Sequence, residues 1–205
     1  MSTSIIIVDY GMGNMHSVWK HLTSFGVECA VSAKPQEILK ASKLILPGVG
    51  HFGQAMENLE QQGLVDVLNE LVMHKKIPIL GICLGMQLMA DYSEEGNTDG
   101  LGWIFGKVRR LQVKDTLRFK VPHMGWNQIR KQKKSKLLEG ISGTSEFYFL
   151  HSYHLMAEQN DVLSETSYSC EFTSAVEREN IYGVQFHPEK SHSAGRILLN
   201  NFIKI

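Results

Sequence analysis

The chain has 205 residues, with 21 Lys plus Arg against 21 Asp plus Glu, and is 43% hydrophobic and 20% charged. Such a length suits a single domain over 1–205, the zero net charge gives no global attraction for nucleic acid or an anionic membrane, and the hydrophobic content excludes disorder. Three widely spaced cysteines (Cys29, Cys83 and Cys170) contain no C-x-x-C pair, so a disulfide framework or thiolate metal cluster is not expected and reduced thiols in a cytoplasmic protein are.

The first half alternates apolar runs with helical patterns. Residues 5–8 (Ile-Ile-Ile-Val) predict a buried strand, too short for a signal peptide or a membrane span. Met15, Val18, Trp19, Leu22 and Phe25 recur at helical spacing, and Gly26 closes that helix. A strand is expected at 27–31, a short helix from Pro35 to Leu39, and a strand at 44–46 stopped by Pro47-Gly48. Helical stripes follow at Phe52, Ala55, Met56, Leu59 and at Leu64, Val67, Leu68, Leu71. Residues 77–82 form a very apolar strand, with a helix at 84–90 directly after it. Apolar strands alternating with helices predict an α/β fold with a mostly parallel central sheet covered on both faces. Ligands sit beyond the carboxyl ends of such strands, and three of those ends are Gly-rich: 9–14, 47–50 and the turn at Cys83.

The second half reads as added antiparallel strands, at 146–153, 168–176 and 181–186, before a closing helix at 195–203. Cys29 and Cys170 fall in predicted strands as core residues. The basic run at 130–136 reads as a solvated hairpin loop.

Gly81-Ile82-Cys83-Leu84-Gly85 has the form G-x-C-x-G between a strand and a helix. A nucleophile on such a sharp turn needs small flanking residues, and the helix N-terminus favours the reactive thiolate. Alone, the motif also fits a buried cysteine in an apolar turn. Gly183-Val184-Gln185-Phe186-His187-Pro188-Glu189-Lys190 follows a strand near the C-terminus. His187 can take a proton from Cys83 and return it to a leaving amine, and Glu189 can orient the imidazole. Alone, this is equally a solvent-exposed turn; the two motifs together point to a nucleophile–base–acid triad. An acyl-transfer site also needs an oxyanion hole. The N–H of Leu84 and the loop Pro47-Gly48-Val49-Gly50, through Val49 and Gly50, are the expected donors. A phosphate-cradling reading of that loop is disfavoured because no Gly-Lys-Ser/Thr follows. Nine histidines include no H-E-x-x-H, and His151 and His154 are expected on opposite sides of a strand, so no metal site is expected.

These motifs resemble the triad-type (class I) glutamine amidotransferases over nearly the whole chain. Within the class the chain most resembles the glutaminase subunits of imidazole glycerol phosphate synthases, through Asp9-Tyr10-Gly11-Met12-Gly13-Asn14, Pro47-Gly48-Val49-Gly50, Val121-Pro122-His123-Met124-Gly125-Trp126-Asn127 and Phe149-Leu150-His151-Ser152-Tyr153. The resemblance implies a flavodoxin-like α/β fold, and it implies that Cys83 attacks the side-chain amide of L-glutamine, with Gly48, Gln87, Ser152 and Tyr153 binding that substrate. It implies no cofactor, and a (β/α)8-barrel cyclase as heterodimer partner in histidine biosynthesis, with Asn14, Trp126 and Lys190 at the interface. It also implies that the loop at 47–50 switches the hydrolysis on when the partner is loaded.

Two stretches depart from the commonest pattern: His51 after Pro-Gly-Val-Gly, and Asp99-Gly100-Leu101-Gly102-Trp103-Ile104. The latter is similar to paralogues that supply ammonia to a surface-polysaccharide sugar pathway. A non-catalytic scaffold subunit and a cysteine hydrolase or peptidase on the same sheet are further alternatives at the level of sequence.

Overall fold

The computed structural model describes residues 4–205. In chain order the elements are β1 (Ile5–Val8), α1 (Met15–Thr23), β2 (Cys29–Ser32), α2 (Pro35–Ile38), β3 (Lys43–Gly48), α3 (Phe52–Gln61), α4 (Leu64–Asn69), β4 (Ile79–Cys83) and α5 (Leu84–Gln87). There follow β5 (Ala90–Ser93), β6 (Thr98–Asp99), β7 (Ile104–Arg110), β8 (His123–Gln128), β9 (Arg130–Lys131), β10 (Glu146–His151), β11 (Tyr153–Ala157), β12 (Val162–Ser167), β13 (Glu171–Arg178), β14 (Ile181–Val184) and α6 (His192–Lys204).

The main sheet has eight strands in the order β2-β1-β3-β4-β14-β13-β12-β9. Pairing is parallel from β2 to β14 and antiparallel from there to β9. This is the expected α/β architecture with antiparallel strands added by the second half, except that β14, expected among those antiparallel strands, pairs parallel with β4 and antiparallel only with β13. A two-stranded ribbon, β10-β8, and a four-stranded sheet, β11-β7-β5-β6, complete the sheets.

The apolar runs explain the layers. Successive strand residues face opposite sides, so Ile6 and Val8 enter one core with α3 and α4, while Ile5 and Ile7 enter the other with α1 and α6. Each fully buried Leu, Ile or Phe contributes about 1.5–3 kcal/mol of transfer free energy. No helix is long and apolar enough to cross a membrane among the described residues.

Several local expectations need correction. Pro47-Gly48 does not end β3; the strand runs through Gly48, paired with Cys83. The helix after Cys83 spans only Leu84–Gln87, and Ala90 already begins β5. The helical stripe ending at Leu71 continues past α4 as a wider π-helical turn, Glu70–His74. Trp19 is exposed and Phe25 lies beyond α1. Cys29 and Cys170 are only partly buried, and Cys170 lies in a bend before β13. The basic run is not a free loop: Arg130–Lys131 forms β9, Lys131 Nζ donates to the carbonyls of Leu138 and Ile141, and Lys133 Nζ to those of Asn160 and Glu177.

Candidate active site

The parallel strands β1, β3, β4 and β14 end at one edge of the sheet, and their C-terminal extensions build the site. Cys83 closes β4 with φ +55° and ψ −108°, a conformation that a non-glycine residue adopts at a cost of roughly 1–3 kcal/mol. The flanking glycines make this turn possible. A Cβ on Gly85 would collide with the Leu46 carbonyl, and one on Gly81 would lie 2.7 Å from Gly85 O. Strand β3 therefore packs directly against the elbow, and Leu84 follows Cys83 with its N–H at the start of α5.

His187 and Glu189 stand just beyond β14, the other neighbour of β4. Their Nδ1 and Oε1 atoms are 2.8 Å apart, and both side chains are almost fully buried. The other ring nitrogen, Nε2, is buried with no partner of hydrogen-bonding geometry among the described residues. Burial acts to lower the His187 pKa, but Cys83 first and Glu189 second favour the protonated ring and outweigh it, so the value is pushed up from 6.5 to about 10. The raised value is that of a ring which has taken the Cys83 proton: an imidazolium held between the Glu189 carboxylate and the sulfur, poised to deliver a proton to a leaving group.

The cleft over Cys83 has a volume of about 270 Å³, and its walls include Val49, Gly50, Leu84, Gln87, Ser152 and Tyr153. It is thus at the small end for ligand sites, which run from about 300 Å³ upward. All four predicted pocket contacts except Gly48 line it. Gly48 is buried behind the lining, where a Cβ would collide with the Tyr10 hydroxyl. Tyr10 donates to Pro47 O at 2.8 Å and so holds the end of β3. Burial, then the nearby Cys83 and Asp9, keep this phenol well above its ordinary pKa, so it stays a donor. Gly50 has φ +127°, a conformation open to glycine.

Asn14, Trp126 and Lys190 line no part of this cleft. Asn14 caps α1 by accepting from Ser17 N at 3.2 Å, and α1 packs against the turn Pro188–Lys190. Lys190 Nζ lies 5.6 Å from the centre of the Tyr148 ring, Tyr148 meets Trp126 edge-on, and Trp126 stacks on His192 at 4.9 Å and 8°. Trp126 and Lys190 therefore stand at one exposed rim around Tyr148, beside His187, and Asn14 begins the helix that packs on the same turn.

Residues of the site that were not anticipated include Glu95 and Gln185, besides Pro122, Leu150 and His151 in the cleft wall. Glu95 lines the cleft and accepts from Phe52 N at 2.9 Å; it lies in a turn, where no periodicity marks it. Gln185 is fully buried and hydrogen-bonds both Gln87 and Cys83. The two-residue period of an extended chain, counted back from His187, would have found it. His151 and His154 are not on opposite sides: the chain bends at Ser152, and both rings pack on Phe172, at 4.9 and 6.0 Å. Among the described residues no group of His, Cys, Asp or Glu is arranged to hold a metal ion.

The family model for class-I glutamine amidotransferase matches residues 6–205. The chain is 49% identical to imidazole glycerol phosphate synthase subunit HisH 2 of Methanococcus maripaludis, covering 98% of each chain. It is 46% identical to the protein of the same name from Pseudomonas aeruginosa, covering 98% of this chain and 99% of that one. Among solved structures it superposes on PurLQS from Thermotoga maritima with a TM-score of 0.75 at 13% identity, covering 100% and 99% of the two chains. The glutaminase domain of Trypanosoma brucei CTPS gives a TM-score of 0.64 at 18% identity, covering 99% and 94%. The structural likenesses carry the fold and the sequence likenesses carry the kinship: the chain belongs to the class-I glutamine amidotransferases, and within them to the HisH subunits of imidazole glycerol phosphate synthase.

Proposed function

We propose that this chain, acting as one domain over 1–205 in the cytoplasm, hydrolyses L-glutamine to glutamate and ammonia and passes the ammonia to a (β/α)8-barrel cyclase subunit in histidine biosynthesis. The observation that carries the reading is the placement of Cys83, in its strained turn, beside a buried His187–Glu189 pair just past the adjacent strand.

The chemistry follows from the geometry. Cys83 gives its proton to His187, and the sulfur attacks the carboxamide carbon of glutamine. The developing oxyanion is met by the N–H of Leu84 and by an N–H of the 47–50 loop, at Val49 or Gly50; losing one such donor costs about 100- to 1,000-fold in rate. His187 then protonates the leaving nitrogen, and ammonia departs. Water, deprotonated by His187, hydrolyses the thioester to glutamate. Glu189 holds the ring with Nε2 toward the reaction. Gln87, Ser152 and Tyr153 bind the substrate from the cleft wall, Gly48 shapes the loop from behind, and the Glu95 carboxylate is placed to take an α-ammonium group.

A cleft of only about 270 Å³ favours one amino acid over a peptide. The intact triad favours an enzyme over a scaffold. The stretch Asp99-Gly100-Leu101-Gly102-Trp103-Ile104 leads from β6 into the buried Trp103, whose Nε1 donates to Asn69 Oδ1 at 2.7 Å, so its departure from the common pattern leaves the triad untouched. The rim of Asn14, Trp126 and Lys190 is the proposed docking surface for the cyclase.

The test is glutamine turnover by the chain alone, with the barrel cyclase, and with the cyclase carrying its own substrate. Weak turnover alone, rising on addition of the loaded cyclase, is the expected result. Full turnover without a partner would remove the proposed switch in the 47–50 loop, and no turnover in any mixture would remove the glutaminase reading.

A further inference from the structure

Gln185 has no role in the steps above, yet it is fully buried against the nucleophile. It belongs to a hydrogen-bonded series that begins at the Tyr153 carbonyl. That oxygen accepts from His151 Nδ1 at 2.9 Å and from Gln87 Nε2 at 2.8 Å. A carbonyl oxygen can only accept, so the atom that Gln87 turns toward it is its amide nitrogen. The same nitrogen donates to Gln185 Oε1 at 3.0 Å. The oxygen of Gln185 is thereby committed, and its nitrogen faces the other way, 3.7 Å from Cys83 Sγ. Tyr153 thus fixes, through two amides in succession, that the group aimed at sulfur is an N–H donor.

The sulfur has a second neighbour with the opposite preference. The Leu150 carbonyl, 3.7 Å from Sγ, can only accept and so favours the thiol, which has a proton to give. An N–H donor favours the thiolate, which has lone pairs to receive it. We propose that Gln185 is a further residue of the hydrolytic site, donating its amide N–H to the Cys83 thiolate, and that Gln87 is the positioning residue that sets the orientation of this amide. The inference rests on Cys83 being the nucleophile. In the step concerned the S–H bond breaks, the proton passes to His187 Nε2, and the electron pair left on sulfur accepts from Gln185. The sulfur then forms the S–C bond to the carboxamide carbon as the carbonyl π pair moves onto oxygen.

The test is the pH dependence of Cys83 alkylation by iodoacetamide in the full chain, read by mass spectrometry on the Cys83 peptide so that Cys29 and Cys170 do not contribute. Gln185→Leu removes the donor. Gln185→Glu keeps the acceptor for Gln87 and replaces the donor with an oxygen. The alkylation midpoint is expected to rise by about 0.5–1 pH unit in Gln185→Leu, with a roughly three- to tenfold lower rate at neutral pH, and at least as far in Gln185→Glu. An unchanged midpoint in either folded variant overturns the proposal, because a residue that merely packs would alter stability and leave the midpoint in place. If neither variant folds, Gln87→Met carries the test: freeing the Gln185 amide should also raise the midpoint, and no rise overturns the proposal. The readout uses no glutamine. A wild-type chain that fails to turn over glutamine therefore refutes the glutaminase reading separately from this one.

Discussion

His187 N–H donates to the Tyr148 carbonyl at 2.8 Å, and Ser191 locks the pair by accepting from Tyr148 N at 3.0 Å and donating to His187 O at 2.6 Å. The base is thereby fastened to β10. Tyr148 is in register with Trp126 on β8, so Trp126 of the proposed docking rim lies on the ribbon to which His187, the proposed base, is fastened. A partner seated on Trp126 would press on the strand that holds His187, which gives the proposed coupling a short mechanical route.

Ser191 is buried and serves both strands of this joint. Ser191→Ala leaves the Tyr148 N–H without its acceptor and should destabilise the chain by about 1–3 kcal/mol. It should also lower kcat for glutamine more than it raises KM, because the base moves while the cleft wall stays. Urea unfolding and steady-state kinetics with the loaded cyclase would measure the two effects.

The strained backbone at Cys83 predicts an unusual order among inactive variants. Glycine ordinarily destabilises relative to alanine, but at φ +55° the alanine retains the strain and glycine releases it. Cys83→Gly should therefore be more stable than Cys83→Ala by about 1 kcal/mol. Both should lose glutamine-dependent synthesis, while synthesis from added ammonia by the cyclase survives. Paired thermal melts test the first statement; an Ala variant more stable than Gly would contradict it.

Stability should peak near pH 6.5 and fall on both sides. His187 has its folded pKa raised to about 10, so its contribution is fully present below about 6.5 and is lost as pH rises through about 10. Burial lowers His123 to about 4 and, with the adjacent His123, lowers His151 to about 3. Unfolded imidazoles take up protons below about 6.5 that these folded ones refuse, so stability is lost as pH falls from there toward 4. His123→Phe should flatten the acid limb and Glu189→Gln should shrink the alkaline one, as read from denaturation midpoints across pH 4–10.

The rim predicts a separation of binding from folding. Trp126 is 44% exposed and Lys190 is exposed, so alanine at either should change the isolated chain's stability by less than about 1 kcal/mol. If the rim is the docking surface, Trp126→Ala should weaken cyclase binding by tenfold or more, as a buried aromatic anchor would. Titration calorimetry with the cyclase checks this; wild-type affinity in both variants would place the interface elsewhere.

Much of the architecture was legible because unbroken apolar runs announce buried parallel strands: β1, β3 and β4 all lie where Ile, Leu and Val cluster, whereas β14, Ile-Tyr-Gly-Val, carries no such run and owes its parallel place to β4. Strand β12 escaped, since Val-Leu-Ser-Glu-Thr-Ser has few apolar residues and owes its pairing to β13 and β9. The strand at Ala90 escaped because it follows a helix of four residues with no turn signal between them.

The sequence by itself determined the candidate reacting groups. Glycines at both sides of Cys83 and a proline between His187 and Glu189 are local steric requirements, so they are visible in the chain wherever it folds. Only the tertiary structure decided what surrounds those groups. It set Tyr10 behind Gly48, carried Glu95 into the cleft, and turned the Gln185 amide toward sulfur by way of Gln87 and Tyr153, which are 98 and 66 residues apart from their partners Gln185 and Gln87. Such contacts are made between a helix, turns and strands of different sheets that are distant in the chain, and hydrogen-bond direction between them is settled only when every donor in the buried series meets its acceptor.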